Sequence, residues 1–197
     1  SNNGEEGSML IYDLNVAPYP VGNDNIDNFG YAWVESDNNN DIVSYEWLDI
    51  ENDNTIMEFE NNDTGTQIDL TFDFPFYDRS YSTCFVNPNG WIGFEEDSDA
   101  WNNQSLFNEE TPNAGIFGFW DDLNPEFSGN EVSSGTVKYH IDDSRLVVWF
   151  DEVIHWTSTE RIYDFQMILY NSGKVVFNYR NMQGDVNSAT IGIKSPN

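Results

Sequence analysis

A single cysteine, Cys84, is all the thiol in this 197-residue chain. No internal disulfide can form, and the disulfide-dense class of small secreted animal domains is excluded. Two compartments fit such a composition: the cytosol, or the exterior of a bacterium that avoids cysteine. Positive charge is almost as scarce, with seven Lys plus Arg against 35 Asp plus Glu and a net charge of −28. A field of that sign repels phosphate backbones and anionic headgroups, so nucleic acid and anionic membrane surfaces are excluded as partners. No run of about 18 apolar residues occurs, which excludes insertion of a membrane-spanning helix. The opening Ser1 to Glu6 has neither a basic nor an apolar stretch, so no signal peptide is expected there. Histidine is limited to His140 and His155, and neither Gly-x-Ser-x-Gly nor His-Glu-x-x-His is found. Both histidines and Cys84, which has only Arg79 as a nearby cation, read as structural.

What the chain has in quantity is aromatic mass: 7 Trp, 10 Tyr and 14 Phe. Each buried ring removes roughly 150–250 Å² from water, enough in sum for a real core in spite of the charge. That charge is uneven. Residues 1–78 carry 18 acidic side chains and no Lys or Arg. Asn-rich clusters such as Asn38-Asn39-Asn40 and Asn61-Asn62-Asp63 interrupt the same region and read as loops, because their side chains compete for the nearby backbone.

Between the loops the pattern has period two. Leu70, Phe72 and Phe74 share one face, as do Val175, Phe177 and Tyr179, while Leu146 to Phe150 is a nearly unbroken apolar run suited to a central strand. Asp142-Asp143-Ser144 and Asn171-Ser172-Gly173 read as hairpin turns. No segment of ten or more residues shows a convincing 3.6 period. The expectation is an all-β, two-sheet antiparallel β-sandwich, jelly-roll-like, with a loop-rich acidic N-terminal segment. Residues 1–30 are expected as a flexible lead and acidic loop, and 31–197 as a single sandwich domain. Tyr31 to Val34 and Ser44 to Leu48 read as short strands. The expected interior holds Leu70, Phe72, Phe74, Trp120, Trp149, Val148, Phe165, Ile168, Phe177 and Ile191.

The order of motifs carries a resemblance. Phe72-Asp73-Phe74-Pro75-Phe76-Tyr77, Val86 to Phe94 with its Asn89-Gly90, and Gly118-Phe119-Trp120-Asp121-Asp122-Leu123 follow one another. They lead to Val147 to Val153, Phe165 to Tyr179 and a closing Ala189 to Ile193. Over residues 66–195 this series resembles the nidogen-like (NIDO-type) extracellular module, and Gly30 to Asp37 with Tyr45 to Ile50 resembles a segment that precedes such modules in large secreted bacterial proteins. Asp78 stands where the family pattern has a turn glycine. The resemblance implies a secreted or cell-surface location, a non-catalytic role in adhesion or assembly, and no catalytic residues. The implied partners are a protein or glycan at a cell surface or matrix, or neighbouring copies or domains of the same polypeptide.

Three residue patterns offer chemistry. Glu46, Asp49 and Glu51 approach the carboxylate spacing of a jelly-roll glycosidase, but intervals of three and two put Glu46 on the opposite face from the others. Calcium is a second option, since hard cations gather six to eight oxygens. Asp37, Asn39 and Asp41 offer oxygens at i, i+2 and i+4; Asp49, Glu51 and Asp53 form another candidate, and Asn23, Asp24 and Asp27 a third. Asp121 and Asp122 are expected to cap backbone N–H groups. Finally Trp101, among Asn and Asp, is the tryptophan expected at the surface, where it could stack on a sugar. The function expected is a calcium-stabilised interaction module. A carbohydrate-binding accessory domain of a secreted enzyme is the alternative, and a small glycosidase comes third.

Overall fold

The computed structural model describes residues 7–13, 26–39, 43–95, 98–126 and 134–196. Apart from one helical turn, α1 (Ser36–Asn39), their regular structure is all β, in two antiparallel sheets. The larger sheet contains β1 (Ser8–Asp13), β2 (Ala32–Glu35), β3 (Thr55–Ile56), β8 (Leu123–Asn124), β9 (Thr136–Ile141), β10 (Arg145–His155), β11 (Ser158–Tyr170) and β12 (Val175–Gln183). Its order is β2-β1-β12-β11-β10-β9-β3, with β8 also on β10. The smaller sheet runs β13-β7-β6-β5-β4, from β4 (Thr66–Phe76), β5 (Arg79–Asn87), β6 (Trp91–Gly93), β7 (Gly115–Trp120) and β13 (Thr190–Lys194).

The expected hairpins are present. Asp142 Oδ1 accepts the N–H groups of Ser144 (2.7 Å) and Arg145 (3.1 Å) between β9 and β10. Gly173, at φ 88°, closes the turn between β11 and β12. The main core lies between the sheets. Alternation sends Leu146, Val148 and Phe150 of β10, Phe165, Met167 and Leu169 of β11, and Val175 and Phe177 of β12 inward against Phe74, Phe76, Ile92, Ile116 and Phe119. Leu70 and Phe72 pack against this core but are only partly buried.

Both sheets are covered on their outer faces too, which explains the unbroken apolar run of β10. Outward Val147, Trp149, Ile168 and Val176 form a second cluster with Val43 and Ile50, under the segment 43–50. That segment is not a strand, contrary to the expectation for Ser44 to Leu48. It is held by side-chain amides, not by a ladder of main-chain bonds. Gln166, fully buried, accepts from Leu48 N–H (3.3 Å) and donates to Leu48 C=O (2.7 Å), while Asn178 donates to Glu46 C=O (2.8 Å). On the smaller sheet Trp91, Phe117 and Trp120 face outward beneath Ala100 and Leu106. Both indoles donate to one acceptor, the carbonyl of Ala100, at 3.1 and 2.8 Å.

Two further expectations are corrected. Residues 8–13 are not a lead: β1 pairs with β2 and β12, burying Met9 and Ile11. Its apolar run is too short to declare a period, and its partner β12 lies more than 160 residues away. Residues 1–6 and 14–25 of the expected lead lie outside the described residues. Ile191 is not interior. The ladder between β13 and β7 shifts register between Thr190 and Gly192, where Gly192 has φ 150°, leaving Ile191 38% exposed and Ile193 against the core.

Candidate functional site

The site begins at Asp27. Its Oδ1 accepts the N–H groups of Phe29 (2.9 Å), Gly30 (2.7 Å) and Tyr31 (2.8 Å), a tight Asx-type turn that sets the direction of the chain before β2. Its Oδ2 accepts the hydroxyl of Tyr77 (3.0 Å) from the β4–β5 turn, so one carboxylate joins the two sheets. Burial, then the negative charge of Asp27, pushes the Tyr77 phenol far above its ordinary value. Tyr77 itself has φ 55°, so the left-handed position of this turn falls on the tyrosine and not on Asp78, where the missing glycine was noted.

Around this joint the rings form a chain. Phe29 lies 5.1 Å from Tyr77, Tyr31 lies 4.9 Å from Tyr77, and Tyr31 reaches the main core through Phe76 at 5.9 Å. Phe29, Tyr31 and Tyr77 wall an open groove of about 1230 Å³ that Tyr12, Trp33, Phe107 and Ile191 also border. Phe29 is 47% exposed, and Phe107 is 99% exposed. The turn carrying Phe107 is nevertheless rigidly tied. Thr111 Oγ1 donates to Ser105 C=O (2.8 Å), Asn108 N–H to Ser105 C=O (2.9 Å), and Lys194 Nζ to the carbonyls of Asn108 and Thr111 (2.8 Å each). Leu106, next in chain, roots the turn in the cluster under the smaller sheet. The result is an apolar knob fixed beside an aromatic groove, an arrangement suited to binding.

The residues singled out in the sequence are dispersed. Asp49 Oδ1 accepts the N–H of Glu51 (2.9 Å). Glu51 is paired with Lys138 (2.7 Å), which also meets Asp151 (2.8 Å) and lies 4.6 Å over the Trp149 ring. Burial opposes the charge of Lys138, yet its bonds to Asp151 and Glu51 carry its pKa upward overall. Asp53 faces His140 at 3.4 Å. Asp37, exposed, accepts from Ser36 Oγ; Asp41 and the side chain of Asn39 lie outside the described residues, as do Asn23 and Asp24. Among the described residues no three His, Cys, Asp or Glu side chains converge as metal ligands.

Asp121 receives Ser188 Oγ (2.5 Å) and its own neighbour's N–H (Asp122, 3.0 Å), and faces buried His155 at 3.6 Å. This set resembles a catalytic triad only in its residue types. The serine donates to the carboxylate, and His155 Nδ1 accepts Thr157 N–H (3.1 Å), so no base is aimed at the hydroxyl. Cys84 is fully buried, and desolvation raises its thiol to about 12. Trp101 is at the surface as expected, 47% exposed. Of the groove residues, Asp27 was singled out in the sequence only as a calcium candidate; the aromatic wall was not, although Phe107, a lone ring among Asn and Glu, carries the same signal as Trp101.

A family model described as NIDO related matches residues 39–197. No curated protein and no solved structure matches the chain. Among the described residues no helix is long and apolar enough to cross a membrane.

Proposed function

Since the chain belongs to the NIDO-related family, a non-enzymatic type of module, we propose that it serves outside the cell as a non-catalytic adhesion or assembly module of a larger polypeptide. The observation that carries this reading is the Phe107 knob beside the aromatic groove. Large side chains held rigid in water cost solvation without stabilising the fold, and such patches mark contact sites. The family supports the extracellular setting, and the dispersal of the acidic residues onto internal partners supports the absence of catalysis. The test is binding of the immobilised protein to a cell-envelope fraction of the source organism, compared with Phe107→Ser. Saturable binding that the variant weakens, without turnover of peptide or polysaccharide, is the expected result. Equal binding by the variant, or hydrolysis, overturns it.

Trp101 favours a second reading, a carbohydrate-binding accessory domain. Its exposed ring lies beside Asn102 and Asn103, polar neighbours that suit a sugar stacked on an indole face. Binding on a glycan array that disappears in Trp101→Ala would select this reading over the first.

A further inference from the structure

We infer that the Phe107 turn and the adjoining groove take up an apolar segment of a positively charged polypeptide. This rests on the reading of the chain as an interaction module and names the chemistry of its partner. Three observations converge on it.

The first is the shape of the apolar surface. Phe107 projects fully exposed from a hydrogen-bonded turn, with exposed Ile191, Phe29 and Ile26 (43%) bordering the same groove. A preorganised aromatic anchor avoids the ordering cost that a flexible one would incur on binding. The second is that several of the polar side chains there are already satisfied within the chain, while the Tyr31 hydroxyl, which has no hydrogen-bond partner, is itself buried. Both Asp27 oxygens, the Asn108 amide through Glu110 N–H (3.0 Å) and Gln104 (2.5 Å), and the Lys194 ammonium all have internal partners. A sugar needs directed hydrogen bonds and would find these spent; an apolar side chain needs none of them. The third is charge. Asp27, Asp78 and Glu109 line the groove against Lys194 alone, within a molecule of net charge −28. Such a field accelerates the approach of cations and repels acidic partners, a second copy of this chain included.

The test uses three 15-residue peptides as probes, titrated against the full chain by fluorescence anisotropy. One has a central Phe-Leu pair flanked by four lysines, the second replaces the lysines by glutamates, and the third keeps the lysines but has Ser-Ser at the centre. Only the first should bind well, with affinity falling as salt rises, and Phe107→Ser should weaken it at least about tenfold. Phe29→Ser provides an independent reading on the other side of the groove. Equal binding of the two lysine peptides would reduce the effect to bulk charge and overturn the proposal, as would equal binding of the glutamate peptide or indifference to both substitutions. If no peptide binds while the envelope fraction is still retained through Phe107, the cationic partner is wrong and the module reading stands. If retention is also absent, the module reading falls with it.

Discussion

The indole of Trp149 on β10 donates its Nε1–H to Oδ1 of Asp164 on β11 at 2.8 Å, with both side chains buried. Arg180 completes the group. It bonds Asp164 Oδ2 at 2.8 Å and lies 4.2 Å over Trp47 and 5.3 Å over Trp149. Burial raises the pKa of Asp164, while the indole and the guanidinium oppose that shift. The charge inside this outer cluster is therefore maintained by specific partners. Trp149→Ala is expected to cost about 3–5 kcal/mol in urea unfolding. Trp149→Phe, which keeps a ring but leaves the carboxylate one donor short, should cost about 1–3 kcal/mol.

The amide clasp over segment 43–50 makes a local prediction. Gln166→Leu leaves both the N–H and the C=O of Leu48 without their partner. Hydrogen exchange of residues 43–54 should accelerate markedly while the amides of β11 and β12 stay protected. Uniform acceleration across both regions would mean that the segment is part of the global folding unit instead.

Gly90 has φ 84°, and a Cβ there would lie 2.1 Å from the carbonyl oxygen of Phe119. The obstacle is backbone, which cannot rotate away, and the Gly90 carbonyl also accepts the N–H groups of Gly118 and Phe119 (3.1 Å each). Gly90→Ala should lose more than about 3 kcal/mol or fail to fold. Near-wild-type melting would show that β7 can shift.

At high pH the phenols of Tyr12, Tyr31 and Tyr163 are held by burial up to about 12. An unfolded tyrosine ionises near about 10. Above that value the unfolded chain loses protons that the folded chain retains, so stability falls as pH rises from about 10 to about 12. Ultraviolet titration should show these phenolates appearing together with unfolding, not before it.

Calcium is tested through Glu51. Its carboxylate serves Lys138, so Glu51→Gln should lower the melting temperature by the same amount in calcium and in chelator at matched ionic strength. A calcium-dependent difference that Asp37→Ala abolishes would place an ion at Asp37, Asn39 and Asp41.

The sandwich was legible because its signal is local. Leu146 to Phe150, the turn Asp142 to Ser144 and the closing Gly173 each state strand or turn within a few residues. The covering of the outer faces was not legible, because it depends on single contacts between distant parts of the chain. Nothing in the sequence marks Gln166 as the partner of Leu48, 118 residues away, or Ala100 as the acceptor for two indoles. Of the site, Trp101 was readable from its polar neighbours, and Phe107 shares that pattern. The groove as a whole was not, since Asp27 and Tyr77 meet only when the two sheets close on each other.

One edge of the smaller sheet is β4, where exposed Gln67, Asp69, Thr71 and Asp73 alternate with half-buried or buried residues. With this rim charged, two such modules brought side by side meet no flat apolar strand along β4 on which to zip together. Crowding on a surface would then leave them as separate, mutually repelling particles. A dense layer of this protein should stay a brush and not coalesce into a film.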